Sequence, residues 1–415
     1  MFRYLIRYPL MLLLMLLPGL GRAEEYAEQD LFSLSGFATL GAVYNSTDQA
    51  DFLRDLSQRE GAGYTRQLDF GLDSLLGLQL DAKINAEVSA SAQLLSHRRY
   101  DNSYTPELNW GFVKYTPNDS VQARIGRLGF DVYMQADSRS VGYSYLPVRP
   151  PVDYYGGLPI SYLDGVDVVL KHPIGEGIAR LELAMGYARE KLPVQGSDHS
   201  LDLSGSPLWG GYLDYQLQNW QFRVGYARLN LENELPDLDL LLNVLRSPQL
   251  QSFPGPAQFA DDAMIKGKMV EFISAGMIYD NGPLQIQLML RRLLATTISY
   301  PDNDAGYLML AYRVGPFTPY VSYSIVKPKV IKHDVGLPDI PAFSQVNGLS
   351  RLIQPYPLND QSTYSLGVRY DVMRNLDLKF QVDRVDGRDS FQWANKQPSW
   401  DGRATIYSLT LDFIF

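Results

Sequence analysis

The sequence predicts an all-β fold, a transmembrane antiparallel β-barrel of about 16 strands with short turns at one end and long loops at the other. Three observations predict it. Apolar and polar residues alternate with a period of two throughout the chain, short and long connections alternate between those segments, and the only long apolar run lies at an export-type N-terminus.

At that N-terminus, Arg3 and Arg7 form a positive region and Leu10 to Leu17 is unbroken apolar sequence. Pro18 and Gly19 break the run, and Gly21 and Ala23 supply the small residues of a cleavage site. The run is shorter than the roughly 20 residues a membrane helix needs. Residues 1–23 therefore read as a signal peptide and 24–415 as the barrel.

The alternation is clearest at the end of the chain. Tyr407, Leu409, Leu411, Phe413 and Phe415 share one strand face, while Ser408, Thr410 and Asp412 lie on the other. Leu376, Leu378, Phe380 and Val382 alternate with Asp377, Lys379 and Gln381 in the same way. Leu284–Leu290, Trp220–Tyr226 and Leu181–Tyr187 repeat the pattern. In a barrel, the apolar face meets lipid and the polar face lines the lumen.

Turn-like connections fall at 81–85, 117–120, 173–177, 218–219, 281–282, 315–316 and 371–375. Long ones fall at 45–64, 99–105, 129–160, 191–206, 233–267, 299–305, 329–361 and 386–402. Each strand with its connection takes about 24 residues, enough for roughly 9–11 membrane-embedded residues and a loop. Two loop segments carry helical signals. Thr47–Gly61 has a Thr cap, early acids and a terminal Gly, and Pro236–Arg246 places Leu238, Leu241, Leu242 and Leu245 at helical spacing. Tyr44, Trp110, Tyr115, Tyr187, Tyr226, Tyr279, Tyr312, Tyr323, Tyr364, Tyr370 and Tyr407 sit where interfacial girdles are expected.

With no Cys, the fold is not disulfide-stapled. Without the signal, 34 Lys+Arg face 46 Asp+Glu, a balance of −12 that argues against nucleic acid as a partner. His97, His172, His199 and His333 lie in unrelated contexts, with neither Gly-x-Ser-x-Gly nor His-Glu-x-x-His, so a hydrolase has little support. No metal or cofactor is implied.

A strand that ends in Arg124-Ile125-Gly126-Arg127 and leads into a long Gly- and Tyr-containing third loop resembles the Gram-negative porin family, as do the alternating strands and the terminal Phe415. The resemblance implies a homotrimer embedded in outer-membrane lipid and lipopolysaccharide. It also implies passive diffusion of small hydrophilic solutes or ions, and a third loop of about 129–160 folded into the lumen. Asp131, Asp137, Arg139, Arg149 and Asp153 are then the loop residues of a constriction. Parity directs Arg124, Lys171, Arg180, Arg223, Arg291, Arg313, Arg369 and Lys379 inward, with Asp167, Glu182, Asp214, Asp371, Asp377 and Asp383. Opposed charges there would set a transverse field, though each residue taken singly is more simply a lumen residue paired with its neighbour strand. Tyr143, Tyr145, Tyr154 and Tyr155 lie in the third loop, where packing is the simpler reading and a track for sugars or aromatic solutes the alternative. A substrate-specific or gated channel stays open as the second reading.

Overall fold

The computed structural model describes residues 31–415 apart from 159, 195–198, 330–333, 354–358 and 388. The signal segment 1–23 and His333 lie outside the described residues. The barrel strands are β1 (Phe32–Asn45), β2 (Leu75–Lys83), β3 (Val88–His97), β4 (Glu107–Asn118), β5 (Val121–Gly129), β6 (Tyr162–Ile174), β7 (Gly177–Tyr187) and β8 (Pro207–Leu217). They continue with β9 (Trp220–Asn230), β10 (Met269–Asp280), β11 (Leu284–Ala295), β12 (Asn303–Tyr312), β13 (Phe317–Pro328), β14 (Gln361–Met373), β15 (Leu376–Asp386) and β16 (Arg403–Ile414). Each pairs antiparallel with the next, and β16 returns to β1, closing a 16-stranded barrel. Closure leaves no sheet edge unpaired. Phe415 extends the seam, exchanging backbone hydrogen bonds of 2.9 and 3.0 Å with Gly36.

Faces follow parity. In β11, Leu290 points outward and is 54% exposed, while its neighbours Met289 and Arg291 are 0% and 4% exposed. Half-exposed leucine beside a buried guanidinium inverts the order of a water-soluble protein, and it is stable where the outer medium is hydrocarbon. No helix among the described residues is long and apolar enough to cross a membrane. Aromatic pairs ring both ends: Trp220–Tyr279 and Phe317–Tyr370 at the turn end, Tyr44–Tyr407 and Trp209–Tyr226 at the loop end. Trp110 leaves the girdle. A register shift at Gln93/Leu94 turns it inward, where its indole N–H donates to Gln79 at 3.3 Å.

The expected alternation of short turns and long loops holds. The third loop contains α1 (Val152–Tyr155), the fifth α2 (Pro236–Leu245) and α3 (Pro254–Ala263), and the seventh α4 (Ser344–Ile353). The helix expected at 236–246 forms; α3 and α4 were not anticipated. The helix expected at 47–61 does not form. Asp51–Phe52 pairs instead with Trp393–Ala394 of the eighth loop. The Asp51 carboxylate accepts hydrogen bonds from Thr65 and Asn395, and Phe52 packs edge-on against Trp393. Tertiary pairing has overridden local propensity.

Replacing lipid-facing Leu213 with Arg is expected to cost about 2–4 kcal/mol, whereas Gln216→Arg on the lumen face of the same strand should cost less than about 1 kcal/mol. Urea unfolding in lipid vesicles, followed by tryptophan fluorescence, measures both.

Candidate functional site

The third loop, 130–161, turns inward and runs along the inner wall. Val132 O accepts from Ser274 Oγ at 2.9 Å, the Tyr155 hydroxyl lies 3.3 Å from that of Tyr307, and Val148 N–H donates to Gln381 at 2.9 Å. Its path follows β9 through β16 and reaches β1, where Gly142 lies against Thr39 and Asp412. Two glycines permit this approach. A Cβ at Gly225 would overlap the Val132 carbonyl, and one at Gly142 would overlap Asp412.

Wall cations fix the loop. Arg223 donates to the carbonyls of Asp131 and Tyr133 at 3.2 and 3.0 Å, and Arg291 to those of Tyr154 and Asp153 at 2.9 and 3.3 Å. Arg369 reaches the carbonyls of Tyr143 and Tyr145 at 2.6 and 3.4 Å, and Lys379 reaches that of Gly142 at 2.5 Å. Acids behind them balance the charge: Asp214 beside Arg223, Asp371 and Asp377 beside Arg369, Asp377 and Asp412 beside Lys379. Loop charges bind outward in return. Arg149 makes a bidentate pair with Asp73 and also reaches Asp383 and Ser408. Asp153 accepts from Ser324 and Gln361 at 2.5 and 2.6 Å.

The covered wall is sealed. Ser274, Tyr307, Tyr320, Ser324, Thr363, Gln381, Asp383, Ser408 and Asp412 are between 0% and 5% exposed. Inward-facing Gln79, Asp81, Ser91, Lys114, Gln122, Arg124 and Arg180, on β2–β7, are only partly buried. Side chains there form a polar ladder along the wall: Asn109 to Gln93 at 2.7 Å, Gln93 to Gln79 at 3.0 Å, Gln79 to Asp81 at 2.9 Å. Across β5–β7, Arg124 pairs with Asp167 at 2.5 Å and Glu182 at 3.5 Å, and Arg180 with Glu182 at 2.9 Å. The lumen is thus divided into a half filled by loop and a half lined by hydrogen-bonding side chains.

Above the open half, a polar cavity of about 240 Å³ lies between the first four loops. Arg54, Arg99, Arg139 and Arg189 line it together with Asp55, Glu107 and Glu190. Elsewhere the mouth is capped by apolar clusters, one joining the first and eighth loops through Phe52, Trp393 and Trp400, the other joining the fifth and seventh.

The residues expected at a constriction are therefore dispersed. Arg149 and Asp153 are buried anchors on the covered side, Arg139 binds the loop itself through the Tyr133 hydroxyl and Leu158 carbonyl, and Asp137 is exposed. Arg124 and Arg180 line the open wall, and Lys171 shares their face where it becomes exposed near the turn end. Arg313 lies in a turn at the rim, paired with Asp280. Tyr145, Tyr154 and Tyr155 are packed into the loop–wall contact, so they form no exposed track. Sequence parity missed that inward Met289, Tyr307, Met309 and Tyr320 make half of the lumen an apolar bed for the loop.

No protein-family profile matches the chain, and no curated protein sequence does. Solved structures do match in shape. Salmonella typhi OmpF, in complex with daunomycin, aligns at TM-score 0.54 and 13% identity over 92% of this chain and 97% of its own. An anion-selective porin from Comamonas acidovorans aligns at 0.51 and 12% identity over 92% and 99%, and Vibrio cholerae OmpT at 0.51 and 11% over 94% and 100%. The fold is that of the porins. Outer-membrane barrels carry long loops on the extracellular side and short turns on the periplasmic side, and the polar cavity lies at the long-loop end.

His97 Nε2 lies 3.1 Å from Glu107 Oε1 at this entrance. No group of three or more metal-ligating side chains occurs among the described residues.

Asp131 adjoins the open wall next to Arg124, Glu182, Arg223 and Asp137. Burial, reinforced by the Glu182 and Asp137 charges, pushes its carboxyl up to about 7. Below that pH the group is neutral; above it, the lumen gains one negative charge. Raising the pH from 6 to 8 should therefore shift the reversal potential in a salt gradient toward cations, and Asp131→Asn should reduce that shift.

Proposed function

We propose that the chain is an outer-membrane porin that lets small hydrophilic solutes or ions diffuse along the β2–β7 side of its lumen. The carrying observation is the asymmetry of the inner wall: one half is sealed by the third loop, and the other is partly exposed and lined by Gln79, Asp81, Ser91, Lys114, Arg124 and Arg180. Such side chains replace part of a solute's hydration without binding it through a single strong contact, which is what passage requires. Alternating Arg124, Asp167, Glu182 and Arg180 give the wall both signs of charge, suited to polar solutes of either sign.

A homotrimer is part of the same reading, supported by the trimer form in which Vibrio cholerae OmpT is described. The second reading, a substrate-specific or gated channel, draws on the capped mouth, which narrows the outer approach to a 240 Å³ cavity with a charged rim. Neither reading requires a cofactor or a catalytic step.

Single-channel recording of the refolded protein in a planar bilayer tests the proposal. The expected result is stepwise current in groups of three, with larger conductance when 131–155 is shortened. A folded barrel without current removes the diffusion reading; unchanged conductance on shortening removes the loop from the pore.

A further inference from the structure

A second cavity, of about 620 Å³, lies on the other side of the third loop from the polar entrance. Its floor is the inner wall of β8–β11, with Leu229 and Phe272. The third loop contributes Phe130, the hairpin of the fourth loop contributes Leu201, and α2 contributes Leu241. Leu158 and Leu192 border both cavities, so the two adjoin across a thin apolar partition.

The volume is about four times the roughly 150 Å³ of a dry cavity that admits benzene, and it lies within the roughly 300–1,000 Å³ range of small-molecule sites. Its few polar groups are already engaged. The hydroxyls of Thr297 and Ser299 both donate to the Ala263 carbonyl, at 3.2 and 2.5 Å, and the Tyr133 hydroxyl accepts from Arg139 at 2.8 Å. Asp237, at the margin, lies 3.0 Å from His199. Water filling such a space would find few of the partners that make buried water stable, and an ion would find no uncommitted counter-charge.

The mouth carries the same signature. Leu240 and Val244 of α2 border the cavity yet are 70% and 46% exposed. The helix thus presents apolar side chains on both its packed face and its cavity rim, where solvation alone would favour polar ones.

We propose that this cavity is a binding site for an uncharged, largely hydrocarbon molecule, aliphatic or aromatic, taken up from the extracellular side. Burial of the ligand against leucine and phenylalanine supplies the affinity, and the scarcity of polar groups among the lining residues disfavours ionised solutes. The site is separate from the hydrophilic path, so it stands or falls independently of conductance.

The test uses the full chain in lipid nanodiscs titrated with 1-aminoanthracene, an uncharged aromatic fluorophore that brightens in apolar surroundings, with empty nanodiscs of the same lipid subtracted. Saturable binding of one probe per chain is expected, weakened at least tenfold in the double variant Leu240→Glu, Val244→Glu, whose exposed positions leave the fold intact. Ala227→Phe, which fills the cavity from its floor, should abolish binding. Fluorescence equal to empty nanodiscs, or saturable binding unmoved by either variant, would overturn the proposal. Single-channel current of the same preparations reports the pore reading separately.

Discussion

Cationic side chains on the barrel wall donate to backbone carbonyls of the third loop, and the division of the lumen depends on that grip. A loop laid inside a barrel has carbonyls that no strand can satisfy, and leaving them unpaired away from water is costly. Arg223, Arg291, Arg369 and Lys379 meet that need along β9, β11, β14 and β15. Hydrogen bonds from charged donors are worth about 1.5–3 kcal/mol each, more than neutral ones. Three of these cations, Arg223, Arg369 and Lys379, have Asp214, Asp371, Asp377 and Asp412 behind them, and Arg291 donates to the Asn303 side-chain carbonyl instead.

From this follows the asymmetry on which function rests. Once the loop is held against β9–β16, apolar Met289, Tyr307 and Tyr320 beneath it serve as packing surface, while the opposite wall keeps its polar side chains partly exposed. The same displacement explains two cavities of opposite character. The polar one opens above the wall the loop leaves free, and the apolar one lies where loop, α2 and barrel wall meet imperfectly.

The barrel was readable in the sequence because period-two alternation is a direct consequence of strand geometry, and Leu290 beside Arg291 shows it residue by residue. The alternation of connection lengths gave the strand number for the same reason. Parity directed Arg223, Arg291, Arg369 and Lys379 toward the interior. It could not say that they would bind a loop instead of facing solute, because that depends on where residues 130–161 travel, a tertiary matter with no local signal. Glycines at 142 and 225 were the available clue, but their meaning appears only once the loop carbonyl and Asp412 are seen beside them. Asp51 and Phe52 misled for a similar reason: their helical spacing was real, and their partners lay more than 300 residues away in the eighth loop.

The absence of Cys from the sequence makes a direct test of the loop's position straightforward. Single cysteines at Ser91 and Lys114 on the open wall, and at Ser324 and Thr363 on the covered wall, can be exposed to a membrane-impermeant thiosulfonate reagent in the folded barrel. Rapid modification at 91 and 114 with protection at 324 and 363 is the expected result. Equal rates on the two walls, or faster reaction at 324 and 363, would contradict the account.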